Sequence, residues 1–511
     1  MKSPILHSCI ILFVANLLFA EVQMPNIFGD HMVLQRDQLN PVWGKANPGE
    51  RIIVKINGQS HATYAGPEGR WEIKLRAMPA GGPHVLEVHA DNQLRFEDVM
   101  IGEVWLCSGQ SNMQWSLSNS DGGDLEIPLA DEPMIRMISV PQVGTQIPQD
   151  DFKGQWEHAS PAVAAEFSAV GYHFGQRLKQ ALGVTIGLID NAWGGSAAEA
   201  WVPRDVLEAD GHSDAYLAEG DAKIAAYTDA VHAKKVALFE EWKANGRKGR
   251  APRVNDIRTG QHRPANLYNG VLHPIIGYGI RGAIWYQGES NAGRAAAYNQ
   301  LFPLMISTWR DHWKQGDFPF YWVQLADYSK EQAEPQQNSS WAELREAQTN
   351  TLALPNTGQA VIIDIGEGRD IHPRNKRTVG DRLVRHALAK DYGYNIASES
   401  PRFSGMRIEN GEAIVTFDHV SAGGLYAFDV PEVKGFAIAG SDGVFRWAKA
   451  RIEGKNQVVV SSPEIAEPVA VRYGWAENPV LNLFDRNGLP VTPFRTDDGT
   501  LGQAPSAAPA E

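Results

Sequence analysis

Cysteine is almost missing from this chain of 511 residues: there are two, Cys9 and Cys107. Cys9 lies in an apolar N-terminal stretch that has the form of a removable leader, so the mature chain keeps one thiol. One thiol cannot close an internal disulfide, and the fold must rest on packing. Cys107 sits in the apolar run 104–107 (VWLC), where cysteine serves as a small core residue and not as a reactive thiol. Basic residues are outnumbered, 47 Lys and Arg against 60 Asp and Glu, for a net charge of −13. No basic run stands out, which argues against nucleic acid as a partner. Metal-binding spacings are missing as well. There is no HExxH and no paired CxxC, and the fifteen histidines are mostly isolated, so neither a metal nor a cofactor is expected. Long apolar runs stop at residue 20, and no membrane partner is expected once the leader is gone.

The leader occupies residues 1–20. Lys2 supplies its positive end, residues 9–20 (CIILFVANLLFA) its apolar segment, and Ala20 the residue before cleavage. The segment is short for a bilayer span; Leu18, large for its place before the cleavage point, leaves an uncleaved anchor as the alternative. Export to the periplasm or the medium is the expectation. Glycine (49) and tryptophan (15) are plentiful, as in a globular protein of two to four domains. Indoles stack on sugar faces and also fill cores.

The chain changes grammar twice. Residues 21–98 show short strands and turns: 51–56 (RIIVKI) followed by Asn57-Gly58, an alternating run at 71–75, and a further strand at 85–88. This pattern predicts a small β-sandwich of immunoglobulin type. Residues 99–397 alternate strands and helices, predicting a largely parallel sheet covered by helices. Strands are expected at 103–107, 184–190, 283–286, 320–325 and 360–365. Helices are expected at 168–181, at 298–313, around 345–348, and after Pro373 with Val379, Leu383 and Leu388 on one face. Residues 205–262 form an insertion with one apolar helical stripe (Ile224, Tyr227, Val231, Leu238, Trp242), either core or a lid. Residues 398–496 return to strands alone, and 497–511 form a Gly/Pro/Ala-rich tail expected to be disordered. The match of 277–282 to GxGxxG is not a dinucleotide site, because a strand and not a helix follows it.

Everything chemical converges on the ends of the predicted parallel strands. A buried strand enters Ser108-Gly109 and hands over to Gln110, Ser111, Asn112 and Met113. Ser111 then sits at a helix N-terminus, where free N–H groups favour developing negative charge. It is a candidate nucleophile; a plain N-cap serine is the alternative. The second strand end carries Asn191, Trp193, Gly194, Gly195 and Ser196, and paired glycines there allow a ligand close to the backbone. The third carries Gln287, Gly288, Glu289, Ser290 and Asn291; the last opens onto Glu367, Asp370 and His372. Asp and His on one loop can supply a base and the carboxylate that orients it.

GQSNM (109–113), FSAVGY (167–172), WGGS (193–196), LYNG…HP (267–274), WYQGESN (285–291), REAQ (345–348) and DIHPRNK (370–376) occur in that order. In this the chain resembles the bacterial sialate O-acetylesterase-like family of the SGNH serine esterases, over roughly residues 22–473. The resemblance implies an α/β fold: an SGNH-hydrolase-like three-layer α/β/α domain with flanking β-sandwich regions. It implies Ser111 as nucleophile and His372 as general base. Asp370 would be the acid, with Glu367 as substitute or a Ser–His pair acting alone, because the usual position three before the histidine is Arg369. The oxyanion hole would use the N–H groups of Ser111 and of Gly195 (or Gly194) and the amide of Gln287 (or Asn291). Gln110, Asn112, Trp193 and Glu289 are the expected substrate contacts. The implied activity is hydrolysis of acetyl esters on sugars, with acetylxylan or another polysaccharide as the alternative substrate. Two other classes are a non-catalytic glycan-binding protein and a glycosidase using Glu103, Glu199 or Glu289, which would leave Ser111 and His372 unexplained. The oligomeric state does not follow from the sequence.

Overall fold

The structure, a computed structural model, describes residues 21–497. The leader and the tail beyond Asp497 fall outside the described residues. Asp497 itself is fastened, accepting hydrogen bonds from Arg472 at 2.9 and 2.7 Å.

Seven strands open the chain: β1 (Val33–Gln35), β2 (Asn40–Lys45), β3 (Arg51–Ile56), β4 (Gln59–Tyr64), β5 (Arg70–Leu75), β6 (Gly81–His89) and β7 (Gln93–Gly109). β4, β3, β6 and β7 form an antiparallel run, β1 adds parallel to β7, and β2 pairs with β5. The alternating sequences of β3 and β5 bury every second residue, as a sheet with one wet face requires. An immunoglobulin sandwich would end in a strand of its own; here β7 does not stop at residue 98. Its first half is half-exposed and pairs with β6. Its second half, from Val99 on, is almost wholly buried and forms the centre of the next sheet. Sequence explains the crossover: QLRFED alternates, whereas VMIGEVWLCSG is nearly continuous apolar or small residues, the mark of a strand covered on both faces.

The central sheet adds β8 (Glu132–Ser139), β9 (Glu157–Ala159), β10 (Ile186–Asp190), β11 (Gly282–Tyr286), β12 (Phe320–Val323) and β13 (Thr357–Ala360). Its order is β13-β12-β11-β7-β10-β8-β9, parallel except for β9. Alternate residues face opposite layers. Trp105 and Cys107 pack with Phe174, Leu178, Val379 and Leu383 of helices Ala169–Leu182 and Lys376–Lys390. Val104 and Leu106 share the other core with residues of helices Ala295–Trp313 and Ser340–Asn350. Each such fully buried large side chain contributes roughly 1.5–3 kcal/mol. The helices start and stop where the sequence provides for it: Ser168 accepts from Gly171 N–H at 3.1 Å, and Gly183 closes the same helix at φ 66°.

Two expectations need correction. The expected strand 360–365 lies earlier, at Thr357–Ala360, because its neighbour β12 ends at Val323 and the bond from Gln324 N–H to the Ala360 carbonyl is the last along that edge. The insertion stripe is broken into helices Asp214–Ala225 and Asp229–Ala244, because Thr228 caps the second by accepting from Val231 N–H. Tyr227 is buried, but Val231 and Leu238 are exposed, so the stripe is not core.

The C-terminal strands form two four-stranded antiparallel sheets and one two-stranded sheet around their own core, which includes Phe417, Phe436, Val458 and Tyr473. Arg345, fully buried, ties this region to the central domain. It donates to the carbonyls of Leu325 and Ala326 on one side and of Ala476 and Glu477 on the other, all at 2.6–2.9 Å. Among the described residues no helix is long and apolar enough to cross a membrane.

Candidate active site

β7 is the switch point of the sheet. From it the chain builds β8 and β10 on one side, then β11, β12 and β13 on the other. The crevice beyond the C-terminal end of such a strand is where open α/β sheets place ligands, and Ser111 stands there. Gly109 makes the exit possible: at φ 138° a Cβ would come within 2.2 Å of the Tyr286 carbonyl oxygen on β11. The chain then turns into the single helical turn Ser111–Gln114.

His372 meets it from the loop after β13, its Nε2 2.8 Å from Ser111 Oγ. The carboxylate of Asp370 lies 3.3 Å from His372 Nδ1 and also accepts from the His372 backbone N–H at 2.9 Å. Glu367, the substitute acid, is committed elsewhere: its Oε1 accepts from Arg374 N–H at 2.8 Å and Nε at 3.1 Å. Trp115 stacks on the His372 ring, centroids 4.9 Å apart and planes 15° from parallel. Partial burial pushes the imidazole's pKa below its ordinary value, against the upward pull of Asp370. A neutral imidazole can accept the proton of a hydroxyl it touches.

The second strand end lies against Ser111. Trp193 N–H donates to the Gly109 carbonyl at 2.9 Å, and a Cβ on Gly194 would sit 3.4 Å from Ser111 Cβ. Gly194 N–H is taken by Gln114 Oε1 at 2.8 Å. Gly195, at φ 70°, holds its carbonyl to Ser290 Oγ at 2.9 Å.

Several expected contacts sit beneath the site instead of facing it. Gln287 is fully buried; its Nε2 donates to the Ser196 carbonyl at 3.1 Å and to Asn291 Oδ1 at 2.8 Å, so both its N–H groups are spent holding the glycine turn. Asn291 in turn donates to Glu199, itself paired with Arg294. Gln110 is buried and accepts from Gly288 and Ser290 N–H. Asn112 is buried too: it donates to Glu289 Oε1 at 2.6 Å and to the Ile371 carbonyl at 3.0 Å, and accepts from Lys376 Nζ at 2.5 Å. Glu289 Oε2 is buried with no partner, and burial raises this carboxyl's pKa. Gln110, Asn112 and Glu289 thus bind one another's turns and loops; Trp193 stays half-buried at the edge. Of the glycosidase carboxylates, Glu103 is fully buried under Gln35, Arg36 and Arg281.

Lys376 and Trp115 carry roles that residue-by-residue reading missed. Each lies four positions after a catalytic candidate, Lys376 after His372 and Trp115 after Ser111. Lys376 is wholly buried, and burial drives its pKa down to about 7 despite Glu289 nearby. With Lys376 Nζ donating to Oδ1, and Glu289 and the Ile371 carbonyl accepting from Nδ2, the Asn112 amide can face only one way. That amide joins the residue after Ser111 to the residue before His372.

With this geometry in view, known proteins can be compared. Residues 261–389, which include His372 and Lys376, match the family model described as carbohydrate esterase, sialic acid-specific acetylesterase. The mouse sialate O-acetylesterase is 30% identical over 499 residues, 88% of each chain. The human sialate O-acetylesterase is 31% identical over 414 residues, covering 72% of this chain and 71% of its own. The crystal structure of a carbohydrate acetylesterase from Xanthomonas citri superposes with a TM-score of 0.80 at 38% identity, over 94% of this chain and all of the other.

Proposed function

The chain belongs to the sialate O-acetylesterase family, and on that premise we propose that it is an exported serine esterase that removes acetyl groups from the hydroxyls of sugars. The observation that carries this is the 2.8 Å contact between His372 Nε2 and Ser111 Oγ at the switch point of the sheet.

His372 takes the Ser111 proton as Oγ attacks the acetyl carbonyl. Asp370 steadies the imidazolium that forms. The backbone N–H groups of Ser111 and Gly195 receive the oxyanion; Gly195 is the second-turn donor because Gly194 N–H is already engaged by Gln114. Loss of one such donor costs roughly 2.7–4 kcal/mol of transition-state stabilisation. Gln287 acts on this hole from below, by bonding Ser196. The imidazolium returns its proton to the departing sugar oxygen, and His372 then activates water to free acetate from the acyl-enzyme. The half-buried Trp193 offers an apolar face to the sugar.

The sugar is read as a carbohydrate of the wider class and not as sialic acid alone, because the bacterial relative described as a carbohydrate acetylesterase is more similar in sequence than the mammalian sialate esterases. Purified chain beginning at Glu21 is assayed for acetate release from a chromogenic acetyl ester, O-acetylated sialic acid and acetylated xylan. Release that disappears in Ser111→Ala and after a serine-directed phosphonate supports the proposal. Folded protein that releases acetate from none of them, or a Ser111→Ala variant that keeps more than a small fraction of activity, defeats it. Export is tested separately, by whether protein recovered outside the cytoplasm begins at Glu21.

A further inference from the structure

We propose that His31, Asp98 and His158 form a binding site for one divalent transition ion of the zinc class, which pins the N-terminal sandwich to the far edge of the central sheet.

The three side chains come from separate parts of the fold: a turn before β1, the first half of β7, and the edge strand β9. Asp98 lies eleven residues before Gly109 on one strand, so the cluster is roughly 35 Å from the nucleophile turn. His31 Nδ1 is 2.8 Å and His158 Nε2 2.9 Å from Asp98 Oδ2, and the two ring nitrogens are 3.2 Å apart. In a tetrahedral zinc site with bonds of 2.0–2.1 Å, ligand atoms lie about 3.3 Å from one another. The triangle therefore needs only a few tenths of an ångström of spreading to seat an ion above its plane. The rings meet edge to face at 84°. All three side chains are partly exposed, which leaves the outer position to water.

Valence favours the ion as well. Asp98 Oδ2 now meets three donors, His31, His158 and Arg136 Nη1 at 2.8 Å. An ion replaces the two imidazole contacts by one bond and leaves the oxygen with two partners. Each imidazole then carries its proton on its outer nitrogen, so binding by the neutral rings needs no net proton loss. Arg136 stays as the outer partner that orients the carboxylate. Arg136 donates to both oxygens of Asp98, at 2.8 and 3.3 Å, and so favours the ionised carboxylate that a metal needs. Two nitrogens and one carboxylate select zinc-like ions over magnesium or calcium.

Full-length mature chain, stripped with a chelator, is titrated with ZnCl2 by calorimetry and thermal unfolding, and with Co2+ by visible absorption. His31→Ala and His158→Ala are carried in parallel, each first shown to match the parent in far-UV circular dichroism and acetyl-ester hydrolysis. The expected result is one Zn2+ per chain, a raised Tm, and a tetrahedral Co2+ band. Zn2+ binding should weaken by more than about 100-fold and the Co2+ band should vanish in either variant. Absence of saturable binding overturns the proposal, and so does binding of equal strength in both variants, which would mean an adventitious ion only.

Discussion

Replacing Lys376 by methionine should leave the protein about as stable as before and cripple it as a catalyst. The side chain has no exposed surface and its pKa falls from the ordinary 10.5 to about 7. Each pKa unit is 1.36 kcal/mol, so burial weighs against the charged form by ~5 kcal/mol. The unfolded chain keeps this proton up to about pH 10.5, whereas the folded chain gives it up near 7. The unfolded state thus binds more protons across that window, and stability must rise with pH through it. Methionine removes the penalty. Against that relief stands Asn112 Oδ1, which loses its partner at 2.5 Å and, left unsatisfied, costs about 1–3 kcal/mol. Glu289, deprived of the neighbouring cation, is driven further toward its protonated, neutral form. The net change at pH 7 is therefore within about 2 kcal/mol of the parent or on the stabilising side. Activity follows a different path. Without the ammonium the Asn112 amide is held through its donor side alone, by Glu289 and the Ile371 carbonyl, and the second of these bonds ties the turn of Ser111 to the loop of His372. Misplacement by an ångström costs about 100-fold, so kcat should fall by that order with KM little changed. Urea unfolding at pH 7 and pH 9, beside kinetics on a chromogenic acetyl ester, reads both quantities. The parent should gain stability between the two pH values and Lys376→Met should not. A variant with unchanged kcat, or one destabilised by more than ~3 kcal/mol as for a broken buried ion pair, would refute the reasoning.

Further expectations concern the triad, the pH profile and the C-terminal clasp. Because burial lowers the pKa of His372, the acid limb of kcat/KM should have its midpoint below the usual histidine value of about 6.5, and a pH–rate profile reads it directly. Asp370→Asn should move that midpoint lower still, since Asp370 is the group that pulls it up. It should also reduce kcat, but by well under the ~10⁴-fold of a buried triad aspartate, because this carboxylate is 56% exposed and 3.3 Å away; Glu367→Gln should leave both nearly unchanged. Arg345→Met should cost more than about 3 kcal/mol in denaturant unfolding, since four buried carbonyls lose a charged donor together.

Legibility in the sequence tracked the range of the interactions. β3 appears residue for residue where its alternation places it, and helix Ala169–Leu182 lies within one residue of its expected bounds, because periodicity and caps are local. The strand at Thr357–Ala360 was misplaced by the run of apolar residues after it, which are buried but have no strand to pair with. The insertion's stripe left core and lid both open, because an apolar stripe reports a face, not what covers it. Site residues followed the same rule. Ser111 stands at the end of a strand that the sequence pattern located, and His372 on the loop that follows the last strand of the sheet. Whether Gln287, Asn112 and Glu289 point at substrate or at one another depends on side-chain partners more than a hundred residues away.

By itself, then, the order of residues determined the layer architecture, the strand that ends at the nucleophile, and the pairing of a serine with a distant histidine, since each rests on local pattern or on motif order. Only the tertiary structure decided that β7 serves two sheets, that Asp370 and not Glu367 lies beside the His372 ring, and that a buried lysine bonds the residue after Ser111. It also decided that two histidines isolated in sequence share one carboxylate. The physical reason is common to all of these. Burial and short-range contacts between chain-distant groups set which polar atoms find partners, and that pairing exists only once the sheet has brought its strand ends and edges together.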